Sequence, residues 1–272
     1  MISVKTLSVW GKSTGTEDLG WEVFEVSPVE VKFIGSGDAF GSGGRLQCCL
    51  LVKGGEPGFL IDCGASSMIG LNRAGEDPER IGLILASNLH GDHLGGVPYF
   101  IIDAQLNRKR KAELIIAGPP GLKERLPLIM DACFPGASTD RLRFLLRLVE
   151  LAPGRELSID GITVASFSVP SREGDPHLAL RVACGGKVIA YSGDTEWDEV
   201  LVAAAGGADL FVAESYFFEK QVRFHMDYRT LIRRTRGMGI KRIVLTHMSE
   251  EMLASLDRVE CEYAEDGKTL II

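Results

Sequence analysis

The stretch Ile81–Gly96, IGLILASNLHGDHLGG, places an unbroken apolar run directly before a loop crowded with metal-binding side chains. IGLILA has no polar alternation, the pattern of a strand buried on both faces. Ser87–Gly96 is then a polar, glycine-flanked loop, and the apolar run Val97–Asn107 reads as a helix. His90, Asp92 and His93 therefore sit at the carboxyl end of a buried strand, where open α/β sheets place their ligands. Imidazole nitrogen and carboxylate oxygen are the donors that zinc and similar cations take. A lone histidine here would read as a solvated side chain; three such residues within four positions do not.

The same plan recurs twice. KVIAYS runs into Asp194 through the turn Gly193-Asp194, and RIVLT runs into His247. Alone, the first is an ordinary turn and the second a helix cap. Together, three apolar strands each end in a potential ligand, and strand ends of one sheet converge.

Further strand-like runs are Val4–Trp10, Trp21–Val26, Val31–Ile34, Gln47–Val52, Phe59–Ile61, Glu113–Ala117, Phe144–Glu150, Ile162–Phe167, Leu178–Ala183 and Asp209–Ala213. Helical runs are Ala65–Ala74, a segment opened by Pro119-Pro120, Glu196–Ala205, Asp227–Arg236 and Ser249–Leu256. Two strand-rich halves, each closing on alternating strand and helix, predict two packed sheets flanked by helices. No linker or low-complexity segment divides residues 1–272, so a single domain is expected, with residues 1–30 as an N-terminal extension. The glycine-rich Gly35–Gly44 lacks the pattern of a phosphate-cradling loop and reads as a tight connection into the strand RLQCCLLV.

The chain has 272 residues, with 30 basic against 37 acidic side chains, so its formal charge is −7. That balance argues against general polyanion binding, which rests on Lys and Arg, although a local patch at Arg108–Lys111 is open to it. Six cysteines without CxxC spacing read as reduced thiols, and no segment suggests a signal peptide or membrane span. A cytoplasmic protein is the expectation.

NLHGDH resembles the metallo-β-lactamase superfamily's HxHxDH motif with its first histidine replaced. FIGSGDAF, FLIDCG, YSGDT, AESYF and VLTHMS resemble the branch containing tRNase Z and related phosphodiesterases and ester hydrolases, over about Val31 to Glu250. The resemblance implies a four-layer αββα sandwich of two mixed β-sheets flanked by helices. It implies Asp92, His93 and His247 as ligands of the family's second metal, with Asp194 bridging. For the first metal it leaves only His90. Asn88 stands where a histidine is expected, and the mid-chain histidine falls at Ser171 or Phe167 according to which neighbouring strand anchors the count. His177 is the only histidine nearby and needs a local shift to reach the site; otherwise it is an exposed residue of the loop GDPH.

The expectation is one zinc ion, with manganese or iron as alternatives, and hydrolysis of a small ester or phosphodiester by a metal-activated water. Asp92 or Asp194 orients the water. Glu214 and His225, eleven residues apart, resemble the family's proton-donating pair. Acidity and the absence of a long basic or Gly-rich arm argue against tRNA, and the resemblance is consistent with a homodimer. Tyr216, Phe217, Phe218 and Phe224 read first as packing between sheet and helices, Cys63 as structural. The rival is a catalytically silent protein of this fold that binds a ligand or partner around a structural metal.

Overall fold

The computed structural model describes residues 28–272. The expected strands at Val4–Trp10 and Trp21–Val26 lie outside the described residues, as does most of the proposed extension. Strands and helices are numbered in chain order. One seven-stranded sheet contains β1 (Glu30–Gly35), β2 (Cys49–Lys53), β3 (Gly58–Ile61), β4 (Ile81–Leu85), β5 (Leu114–Gly118), β6 (Leu146–Glu150) and β14 (Thr269–Ile271), in the order β14, β1, β2, β3, β4, β5, β6. The other contains β7 (Glu156–Ile159), β8 (Ile162–Val169), β9 (His177–Cys184), β10 (Lys187–Tyr191), β11 (Leu210–Glu214), β12 (Ile243–Thr246) and β13 (Glu262–Tyr263), in the order β13, β12, β11, β10, β9, β8, β7.

Both sheets are mixed. β3 to β6 run parallel, and so do β10 to β13. Alternate residues of each strand point to opposite faces. Phe33, Leu50, Phe59, Leu83 and Ile115 of the first sheet thus meet Val164, Leu180, Ile189, Tyr191 and Val212 of the second in the central core. The outer face of the first sheet packs on α1 (Ser67–Arg73), α3 (Val97–Leu106) and α4 (Leu122–Cys133). That of the second packs on α5 (Val200–Ala205), α6 (Tyr228–Thr235) and α7 (Glu250–Leu253). These are four layers, helix, sheet, sheet, helix. Each fully buried aromatic such as Phe33 or Phe211 contributes roughly 1.5–3 kcal/mol of burial free energy.

β7, β13 and β14 were not anticipated. They are two to four residues long and lie at or next to sheet edges, so their neighbours rather than their own pattern define them. The helix expected from Glu196 begins only at Val200, because Thr195 and Glu196 hydrogen-bond toward the site instead. The basic stretch at Arg108–Lys111 is no open patch. Arg108 pairs with Asp77 and Asp103, and Arg110 is 1% exposed, its guanidinium donating to the carbonyls of Ala112, Pro78, Ile81 and Glu113. Among the described residues no helix is long and apolar enough to cross a membrane.

Candidate metal centre

Because β3 and β4 share a direction, and β10, β11 and β12 share another, their carboxyl ends collect the polar residues that follow them. After β4 the chain turns through Asn88, whose buried Oδ1 accepts from the His90 amide at 2.9 Å, and enters the short helix α2 (Gly91–Leu94). Asn88 thus shapes the loop. The loop is strapped to the end of β3: Cys63 N donates to His93 O at 2.7 Å and Gly96 N to Cys63 O at 2.8 Å. Glycine is required at this crossing, since a Cβ on Gly64 would lie 2.3 Å from the Asp92 carbonyl and one on Gly96 2.2 Å from that of Gly64.

The structure brings Asp92, His93, Asp194 and His247 together, one ligand atom from each lying within 4.8 Å of the others, all four residues buried. His93 Nε2 is 3.2 Å from Asp92 Oδ2 and 3.1 Å from Asp194 Oδ2. His247 Nε2 is 3.2 Å from Asp92 Oδ2 and 3.6 Å from Asp194 Oδ1, and that last oxygen is buried with no hydrogen-bond partner.

Asp62, directly after β3, is the residue that the sequence reading passed over. Its Oδ2 lies 2.7 Å from His93 Nδ1, while Oδ1 accepts from Ser87 N at 2.8 Å. Donation of Nδ1–H to Asp62 leaves Nε2 of a neutral ring with its lone pair aimed at two carboxylate oxygens, an arrangement that calls for positive charge between them. A divalent cation fits that donor set of two nitrogens and two carboxylates. Without one, protons must serve. Burial opposes charge on His93 and His247, but Asp194 and the neighbouring carboxylates outweigh it and raise both imidazoles well above their ordinary range. Burial likewise works to raise the Asp92 carboxyl, but the two imidazoles override it and hold it far below the usual carboxylate range.

Glu214 ends β11 and is 1% exposed. His225 Nδ1 lies 2.6 Å from Glu214 Oε1, which is also 3.2 Å from His247 Nδ1; Glu214 Oε2 accepts from Thr195 N at 2.8 Å. One carboxylate therefore faces both imidazoles. Burial lowers the pKa of His225, but the Glu214 carboxylate outweighs it and raises the ring. Tyr216 stacks on His225 with centroids 4.6 Å apart.

Three of the non-glycine residues with positive φ stand here: Asp62 at 59°, Phe224 at 69° and His247 at 54°. Strain of this kind costs on the order of 1–3 kcal/mol per residue and gathers where the surroundings enforce a working geometry.

His90 does not join the four. Its Nε2 pairs with Asp175 Oδ2 at 2.6 Å, and its ring meets that of His177 edge-on at 4.9 Å. His177 is not an exposed loop residue: it is 4% exposed and begins β9. Phe167 packs in the outer core, and Ser171 Oγ reaches only the neighbouring Arg172 carbonyl. Of the aromatics, Phe218 is core, whereas Tyr216 and Phe224 line the cleft. Cys63 is buried, and burial pushes its thiol up to about 12, so it is no nucleophile.

Asp92, Asp194, His247, His225, His90 and His177 line one cleft of about 400 Å³, whose wall also carries the exposed Arg172 and Arg223, neither of which was singled out from sequence. They lie in loops without periodicity, so no motif marks them.

The model of the "Beta-lactamase superfamily domain" matches residues 58–248. The chain is 26% identical over 272 aligned residues to ribonuclease Z of Methanothermobacter thermautotrophicus, covering 81% of this chain and 87% of the relative. Among solved structures it resembles the metallo-β-lactamase fold protein YhfI of Bacillus subtilis, with TM-score 0.75 and 19% identity over 90% of this chain and 99% of that one. Human tRNase Z, short form, gives TM-score 0.73 and 24% identity over 89% of this chain and 98% of that one. The relatives' names overturn the expectation that tRNA is a poor candidate substrate. Formal charge sums the whole surface, whereas arginines on the cleft wall set the local field.

Proposed function

The chain belongs to the metallo-β-lactamase superfamily, in its tRNase Z-like branch, and as the metal-dependent hydrolase this makes it, we propose, it cleaves phosphodiesters. The observation that carries this reading is the placement of Arg172 and Arg223 on the wall of the cleft that holds the four-residue centre. A neutral ester or lactone offers a guanidinium no charge to neutralise, whereas a phosphate is an anion that guanidinium groups pair with well. The relatives' name puts RNA, tRNA included, among the phosphodiesters to be tested.

Asp92, His93, Asp194 and His247 would hold the cation, zinc by the donor chemistry, with manganese or iron as alternatives. When bound, the cation supplies Lewis-acid stabilisation and makes a water acidic enough to attack at neutral pH. Asp92 and the unpartnered Oδ1 of Asp194 are placed to accept hydrogen bonds from the attacking water. Arg172 and Arg223 neutralise the phosphate. His225, its Nδ1–H held by Glu214, presents Nε2 to the cleft and protonates the departing oxygen. The same reading places the protein in the cytoplasm, supported by six cysteines that are all free.

The test compares a bis-aryl phosphodiester, a 3′-extended RNA and a neutral aryl ester, with zinc or manganese added. Phosphodiester turnover that falls about tenfold in kcat/KM for Arg172→Ala or Arg223→Ala, with ester turnover unchanged, is expected. An equal fall on both substrates, or ester turnover alone, overturns the phosphodiester assignment.

A further inference from the structure

We propose that His90, Asp175 and His177 form a second cation site in the same cleft, a replacement for the histidines that Asn88 and Ser171 do not provide. This inference rests on the metal-centre reading above. One ligand atom from each of the three lies within 4.8 Å of the other two. Asp175 Oδ2 is the meeting point, 2.6 Å from His90 Nε2 and 3.4 Å from His177 Nε2.

His177 carries the argument. Its side chain is 5% exposed, and its Nδ1 lies 3.0 Å from the main-chain carbonyl of Asp194. A carbonyl only accepts, so Nδ1 bears the proton, and in the neutral ring Nε2 bears the lone pair. That Nε2 is buried and has no hydrogen-bond partner. A buried acceptor without a donor is costly and calls for a partner to fill its coordination. A carbonyl fixing one nitrogen while the other faces a carboxylate and a second imidazole is how metal-ligating histidines are oriented.

The site is also tied to the first. Asp194 contacts His93 through Oδ2 and receives His177 through its carbonyl, so both clusters hang on one residue after β10. Two imidazoles and one carboxylate suit zinc or manganese, with water completing the shell. The chain thus loses two expected histidines but gains Asp175, from the loop leading into β9, and His177, the first residue of β9. The centre takes two ions, not the one expected from the motif.

The test is equilibrium dialysis of the full chain against zinc with elemental analysis, paralleled by cobalt titration followed by visible absorption. Wild type is expected to bind about two ions per chain, and His177→Ala and Asp175→Asn about one, with the tighter cobalt phase kept. Asp175→Asn, on a half-buried side chain, guards against a misfolded His177→Ala, and circular dichroism checks both. Wild type binding one ion, with both variants unchanged, overturns the second site and leaves the four-residue centre standing. Wild type binding none overturns that centre, and this proposal with it.

Discussion

Glu214 sits between two imidazoles, and this sharing has consequences that can be measured. In its proposed role as proton donor, His225 must be charged. Its pKa is raised because the Glu214 carboxylate outweighs the opposing effect of burial. Activity that needs the charged ring is present below that raised pKa and lost as pH rises through it. Glu214→Gln removes the carboxylate, so the falling limb of kcat against pH is expected to move to lower pH; an unmoved limb removes His225 from the role. His225→Ala is expected to slow diesters with poor leaving groups about a hundredfold while barely affecting activated aryl ones. Equal slowing of both argues for a structural histidine. Asp62→Asn tests the tautomer lock on His93. Asparagine tolerates the positive φ at this position, so the substitution isolates the hydrogen bond from backbone strain. Metal affinity, read by chelator competition, is expected to fall about ten- to hundredfold.

The strand ends and their loops show how closely the metal-bearing segment is built. Gly96 has ordinary helical dihedrals, so Gly96→Ala introduces no torsional penalty, only a Cβ 2.2 Å from the Gly64 carbonyl. Backbone must move, and a loss of about 1–3 kcal/mol in urea-monitored stability is expected, with weaker metal binding alongside. Unchanged binding at reduced stability would separate the loop's packing from its function. The elements legible in the sequence were those whose burial leaves a one-dimensional trace. β4 and β11 are buried at every position and read as unbroken apolar runs. β7, with mostly part-exposed residues, leaves no such trace. The same division holds for the site. Asp92, His93, Asp194, Glu214 and His247 follow strands and could be found by that rule. Asp62 obeys it too, at the end of FLID, but an aspartate before Cys-Gly looks like a turn until its partner is seen. Asp175, Arg172 and Arg223 lie in loops whose course is set by tertiary contacts, so nothing local announces them.

For the molecule as a whole, a net charge of −7 coexists with two exposed arginines, Arg172 and Arg223, on the wall of the cleft. Exposed guanidinium groups act over about the 8 Å screening length of physiological salt. KM for a phosphodiester is therefore expected to rise with ionic strength while KM for a neutral ester stays level; parallel behaviour would mean that Arg172 and Arg223 do not meet the substrate. The two sheets contribute equally to the centre, Asp92 and His93 from the loop after β4, Asp194 and His247 from the ends of β10 and β12. β14 then returns to the first sheet beside β1, so the chain's last strand belongs to the layer built by its first half. A cation held by these four residues would be a clasp that closes only when both leaves of the book lie in register. In refolding, zinc capture followed with a fluorescent indicator should coincide with the last tertiary phase, making the cation a sensor of completed assembly; capture ahead of that phase would show that one leaf alone can hold it.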